Sequence, residues 1–472
     1  MKKTKIICTL GPASSAPLIL EKLIKAGMNI ARLNFSHGSY EEHAARIQMV
    51  REASAKVGQP VGILADIQGP KIRTGMLDKE PLTLTEGDRI RLTPQRAKER
   101  ASGYIYVDYP TLLQDVKPGG QIFLADGMIR LAVQAVSADS LECSVVNGGD
   151  LTSRKGLTLP GVSVNLPAMT EKDLADLEFI VAQQVDFIAV SFARKAEHID
   201  EIRQHLTALG GDQLLIAKIE NEEGFRNREA IIHAADGMMV ARGDLGVEVP
   251  LENVPLLQKQ LISICNNAGK PVITATEMLE SMIRNPRPTR AEITDIANAI
   301  FDGTDAIMLS AETAVGKYPV TAVEMMSRVA NSIEGSLKFD EILAHKKAAL
   351  NPTIADAISH ATCQTSLDLQ AKAIISSTQS GSTARMVSKY RPEASIIAAT
   401  PNPKVAQQLT LPWGVFPIIV PASNNIDQMI DVSVAAAKQT GFIHNNDLVV
   451  ITAGVRTGVS GSTNLLKVHL VE

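Results

Sequence analysis

Short apolar runs bounded by turn residues recur along this chain, and most are followed by a stretch whose apolar positions fall three and four apart. The runs are Lys5–Leu10, Asn29–Phe35, Val61–Ile67, Phe187–Phe192, Leu214–Glu220, Gly237–Arg242, Pro271–Thr276 and Ala306–Ser310. Apolar on both alternating faces, they read as strands of a parallel sheet covered on each side. Ala16–Ala26, Glu41–Lys56, Glu171–Gln184, Glu197–Ala208, Val254–Ala268 and Arg290–Phe301 carry the helical period between them. Strands that alternate with crossover helices must run parallel. Eight such strands close a (β/α)₈ TIM barrel. An open doubly wound sheet is the alternative, but no GxGxxG follows the first strand.

The rhythm breaks between Pro70 and Pro167. Alternating runs such as Pro81–Leu84, Arg89–Leu92, Tyr104–Val107, Gln121–Leu124 and Cys143–Val146 replace it, separated by Gly- and Pro-rich turns. This predicts an all-β module inserted after the third strand. It is placed either to close over a site as a lid or to serve only as a solubilising addition. Beyond Gly335 a third unit begins. There Ile374–Arg385 runs from a strand through the hydroxyl-rich loop Ser377, Thr378, Ser380, Gly381, Ser382 and Thr383 into a helix. A second loop, Ala453–Asn464, carries Gly454, Gly458, Gly461 and Ser462. Backbone amides and hydroxyls of this kind suit an anion, although such loops are often mere connections. The predicted domains are a barrel in two parts, 1–70 and 168–340, a lid at 71–167, and a C-terminal α/β domain at 341–472.

Polar residues gather where the apolar runs end, the side on which barrel proteins hold their ligands. Lys218, Glu220, Arg242 and Asp244 stand there, and burying them is costly unless charge meets charge, metal or substrate. Two carboxylates with little else to bind suit Mg²⁺, which keeps waters and takes substrate oxygens. Arg32 and Arg73 can grip phosphate or carboxylate through two parallel hydrogen bonds. His37 has no carboxylate nearby in sequence, so a structural or contact role outweighs that of a base. Thr276 shares the rim with these cations.

Composition narrows the class. With 472 residues, two or three domains are expected. A net charge of −4 argues against a nucleic-acid surface. Cys8, Cys143, Cys265 and Cys363 show no CxxC spacing and read as free thiols of a reducing cytoplasm. No apolar stretch is long enough to span a membrane, and the first run stops at Gly11-Pro12, too short for a signal peptide.

Several segments together resemble one family: Asn29–Gly38, Lys218–Asn221, Met239–Glu248, Asn285–Glu292 and Asp302–Ala314 are similar to pyruvate kinase, and the likeness extends over the whole chain. The resemblance implies transfer of the phosphoryl group of phosphoenolpyruvate to ADP, giving pyruvate and ATP in glycolysis. On the matching positions Glu220 and Asp244 would hold Mg²⁺, and a second Mg²⁺ would arrive with ADP. Lys218 and Arg32 would meet the phosphoryl group. Gly243, Asp244 and Thr276 would contact the pyruvate moiety, with Thr276 helping to pass a proton. Asn34, His37, Arg73 and Lys155 match nucleotide positions. The resemblance also implies a homotetramer and a phosphorylated small-molecule activator at Ser377–Thr383. Its identity is not fixed by spacing.

One departure stands out. The family's K⁺ is held by Asn34, Ser36, Asp66 and the next residue, which is Ile67 here instead of the usual threonine. Where K⁺-dependent members carry Lys-Gly-Pro-Glu, this chain has Gln68-Gly69-Pro70-Lys71. At about 4 Å and an effective dielectric near 20, one unit charge is worth roughly 4 kcal/mol. Lys71 is therefore expected to stand in for K⁺, which is not required. Two other functions compete: a Mg²⁺-dependent lyase acting on pyruvate enolate, and a catalytically silent phosphate sensor built on the C-terminal loops.

Overall fold

The computed structural model describes residues 2–99, 103–347, 353–423, 425–454 and 463–472. Strands Lys5–Thr9, Ile30–Asn34, Gly62–Ile67, Phe187–Val190, Leu214–Ile219, Gly237–Ala241, Val272–Ala275 and Ala306–Leu309 close into one parallel barrel. Ile7, Ile30, Leu64, Phe187, Ile216, Met239 and Ile273 fill its lumen, so it is a packed core and not a pore. All strands but the third, which ends with its run at Ile67, stop one or two residues short of the apolar runs at the mouth. Those last residues leave the ladder and turn toward the rim; Phe192 and Thr276 take φ 55 and 70.

The opposite end is stitched by a fourfold device. Asn29, Asp186, Asp236 and Asp305 each stand just before an even-numbered barrel strand. Their side chains accept the backbone N–H of Ile6, Ile63, Leu215 and Val272, at 3.0, 2.8, 2.9 and 3.1 Å. In return each donates its own N–H to the carbonyl of that same residue. Strand starts are thereby locked in pairs, leaving the far rim free for chemistry.

The inserted module lies between the third strand and the helix Glu171–Ala182. It folds into a six-stranded sheet and a two-stranded one around its own core, which includes Leu92, Ile122, Leu131, Leu141 and Val145. Its longest strand, Ile129–Val136, is among those the alternation did not single out. In the C-terminal unit four parallel strands, Val415–Ile419, Ser395–Thr400, Ala373–Ser377 and Leu448–Gly454, end in the antiparallel Thr463–Leu470. Leu411 of this unit enters the lumen cluster from below, so the C-terminal unit seals the barrel floor. Arg391, turned into the left-handed region at φ 50, drives its guanidinium onto both oxygens of Asp305 at 2.9 and 2.8 Å. All four cysteines are free and buried, and among the described residues no helix is long and apolar enough to cross a membrane. Gly458, Gly461 and Ser462 lie outside the described residues.

Candidate active site

Side chains alternate along a strand, so Lys218 and the rim residue Glu220 face the same way. The Lys218 ammonium is held by Glu220 Oε1 at 2.9 Å, Asp66 Oδ1 at 3.0 Å and the Ser191 hydroxyl at 2.7 Å. Asp66 comes from the third strand and its other oxygen takes Arg32 Nε at 2.7 Å. A second guanidinium nitrogen of Arg32 donates to Thr9 Oγ1 at 2.8 Å. The two cations expected at the phosphoryl group are thus fixed by one carboxylate that is 2 % exposed.

Electrostatics follow from that packing. Burial alone would lower the Lys218 ammonium, but Asp66 and Glu220 outweigh it and hold it above its usual range. Burial likewise opposes ionisation of Asp66, yet Lys218 and Arg32 keep its carboxyl below the ordinary value. Glu220 moves the other way: burial, with the charge of Asp244 added, raises it despite Lys218. A buried carboxylate raised by a like charge is one that gains from a cation set beside the pair. Among the described residues no cluster of three or more His, Cys, Asp and Glu side chains could hold a metal. Glu220 and Asp244 line one pocket, and two carboxylates would leave the other positions of a Mg²⁺ ion to water or substrate.

Asp244 sits in the first turn of the short helix Arg242–Glu248. Gly243 N–H donates to Thr276 Oγ1 at 2.9 Å, and that hydroxyl donates to the Ala275 carbonyl at 2.6 Å. Arg242 serves as a support: both oxygens of Asp295 receive it at 2.7 Å, and the carbonyls of Ala275 and Thr276 accept from it at 3.1 and 2.5 Å. Lys71 reaches over this rim. Its ammonium lies 3.0 Å from Asp244 Oδ1, 3.5 Å from Asp126 Oδ1 of the inserted module and 5.7 Å from the centre of the Phe192 ring. Asp244 and its neighbours outweigh desolvation and raise the Lys71 ammonium. The Lys71 side chain runs close past Gly156, where an added Cβ would stand 2.8 Å from Lys71 Cε and require that side chain to shift.

The other expected residues occupy the surrounding rim. Asn34 Oδ1 accepts the Ser36 N–H at 3.1 Å, and the Ile67 carbonyl accepts the Ser191 hydroxyl at 2.7 Å. His37 is exposed; its carbonyl, not its ring, is engaged, by His43. Arg73 and the exposed Lys155 lie on adjoining lid segments, joined where Thr74 N–H donates to the Lys155 carbonyl at 2.8 Å. At the C-terminal loop Thr378 Oγ1 accepts the Gly381 N–H at 2.9 Å, Arg385 donates to the Ser380 carbonyl, and Thr383 meets Thr463 at 2.8 Å. Ser377 closes its strand and Ser382 opens the helix Ser382–Lys389. The sequence reading passed over Ser191, Phe192 and Asp126. A hydroxyl at a strand's rim end was the available signal for Ser191, and nothing local marks Asp126.

Residues 1–323 match the family profile described as pyruvate kinase, barrel domain, and residues 356–469 that of its alpha/beta domain. The chain belongs to the pyruvate kinase family. The pyruvate kinase of Geobacillus stearothermophilus is 52% identical over the full chain and 80% of that relative's length. That of Clostridium acetobutylicum is 49% identical over the full length of both, and that of Staphylococcus aureus 46% over the full chain and 81% of its own length. The chain is accordingly a phosphotransferase with phosphoenolpyruvate, ADP, ATP and pyruvate as substrates and products, in a family that uses Mg²⁺. Neither a lyase nor a silent sensor accounts for this.

Proposed function

We propose that this pyruvate kinase works without K⁺, Lys71 supplying the positive charge that the monovalent ion supplies elsewhere in the family. The observation that carries the reading is the Lys71 ammonium 3.0 Å from Asp244. Support comes from the expected K⁺ ligands, which are already engaged. Asp66 is taken by Arg32 and Lys218, the Ile67 carbonyl by Ser191, and Asn34 by the Ser36 amide. Around the rim Asp66, Glu220 and Asp244 face the fixed cations Arg32, Lys71 and Lys218.

In this reading Glu220 and Asp244 hold Mg²⁺, and a second ion enters with ADP. Bound there, Mg²⁺ supplies charge neutralisation for the carboxylate and enolate oxygens of the substrate. Lys218 and Arg32 aim fixed positive charge at the migrating phosphoryl group, and because Asp66 anchors both, little reorganisation accompanies transfer. Gly243 leaves room at the pyruvate moiety: the nearest atoms to an added Cβ are those of Thr276, at an ordinary 3.7 Å. The crowding that calls for glycine there is assigned to substrate. Thr276 passes a proton toward the enolate, and Asn34, His37, Arg73 and Lys155 take the nucleotide. The module at 71–167 acts as the lid over the barrel of 1–70 and 168–340. The unit at 341–472 assembles a cytoplasmic homotetramer and receives a phosphorylated activator at Ser377–Thr383.

Initial rates in tetramethylammonium and in potassium salts test the first point. Equal rates are expected, and a steep K⁺ requirement rejects it. Titration with fructose 1,6-bisphosphate, ribose 5-phosphate and AMP tests the second; activation by none of them counts against it.

A further inference from the structure

Ser191 and Phe192 follow the fourth barrel strand, Phe187–Val190, and stand at the crossing of the site's two halves. The Ser191 hydroxyl accepts Lys218 at 2.7 Å while its one proton is directed at the Ile67 carbonyl at 2.7 Å, with Asp66 Oδ1 a longer acceptor at 3.3 Å, so a lone pair is turned to the ammonium. Ser191 is 5 % exposed, too enclosed for water to replace it freely. The next residue takes φ 55, a conformation that a bulky aromatic side chain disfavours. That turn aims the Phe192 N–H at Glu220 Oε2, 2.6 Å away, and leaves the ring beneath Lys71 at 5.7 Å. Gly69 makes the turn possible, for a Cβ on it would stand 2.9 Å from the Ser191 carbonyl oxygen.

We infer that Ser191 and Phe192 are paired positioning residues: one hydroxyl orients the phosphoryl-facing Lys218, and one strained backbone amide orients the metal-facing Glu220. The inference deepens the proposed site and rests on its reading of Lys218 and Glu220. A free glutamate side chain would swing between Lys218 and the metal. The Phe192 amide pins one oxygen and leaves Glu220 a single arrangement. Polar partners behind metal ligands are worth about 10- to 100-fold in metal affinity or activity.

Direct Mn²⁺ binding, read as loss of the free-ion electron paramagnetic resonance signal, separates the backbone from the ring. Phe192→Gly and Phe192→Val both remove the ring, but only valine resists positive φ. Phe192→Val is expected to weaken Mn²⁺ binding about tenfold, while Phe192→Gly stays within about twofold of wild type. Equal affinities for the two variants overturn the amide's role. Ser191→Ala is expected to bind Mn²⁺ normally and to lose about 10- to 100-fold in kcat with little change in the phosphoenolpyruvate KM. Ser191→Thr, which restores the hydroxyl, recovers turnover. Wild-type kcat in Ser191→Ala overturns the hydroxyl's role. Lys218→Met in parallel keeps the two readings apart, because wild-type turnover there defeats the site assignment itself.

Discussion

Lys218 draws its importance from what surrounds it and not from its charge alone. Three partners hold one ammonium inside a rim where water is scarce, so its field acts on the phosphoryl group with little screening. Lys218→Met is expected to lower kcat by about 10²- to 10³-fold, as loss of one preorganised charge does elsewhere, measured as ATP formed from phosphoenolpyruvate and ADP. Lys71→Glu brings a carboxylate against Asp244 and Asp126, and should make turnover depend on added K⁺; salt-independent turnover of that variant would refute the substitution of lysine for the ion. These residues were legible because charge gathers at the rim, while elsewhere the barrel strands carry only Lys5. The partner of Lys71 was not legible. Asp244 and Asp126 lie 173 and 55 residues away along the chain, and only folding of the lid onto the rim joins them.

Among the elements, the barrel strands were read from apolar runs alone, yet every run but the third overshot its strand at the mouth. The overshoot has one cause: the last residues exchange ladder bonds for contacts within the site. Thr276 and Phe192 bend into positive φ, which hydropathy does not encode. The floor clamps follow a simpler code, Asn or Asp immediately before an even strand. One of them, Asp186, is pushed by burial up to about 7. A folded-state value above the unfolded one contributes stability in full below the ordinary carboxyl range, and that contribution is lost as pH rises toward 7. Asparagine already performs the same clamp at Asn29. Asp186→Asn should therefore melt higher than wild type at pH 8, with the gap narrowing or reversing toward pH 4. A lower melting temperature at pH 8 would show that the carboxylate is needed there.

The whole molecule is organised about two ends of one barrel. The lid meets the mouth where Lys71 pairs with Asp244, while the C-terminal unit meets the floor through Leu411 and Arg391. An effector at the proposed Ser377–Thr383 site would have this floor as its contact with the barrel of the same chain. Burial of Leu411 in the lumen makes that contact energetic: Leu411→Ala is expected to cost about 2–5 kcal/mol, read from urea unfolding, and a loss below about 0.5 kcal/mol would mean that the two units are only loosely coupled. Domain order was legible from where helical periodicity starts and stops, but docking was not, since Leu411 looks like any other apolar residue. Central to all of this is a metal held by Glu220 and Asp244 beside Lys218. Anomalous diffraction from crystals grown with Mn²⁺ and oxalate, an analogue of the enolate, tests it most directly. The account predicts a peak bonded to both carboxylates and to oxalate, with the Lys218 ammonium facing the ligand; a peak bonded to neither carboxylate, or Lys218 turned away, would contradict it.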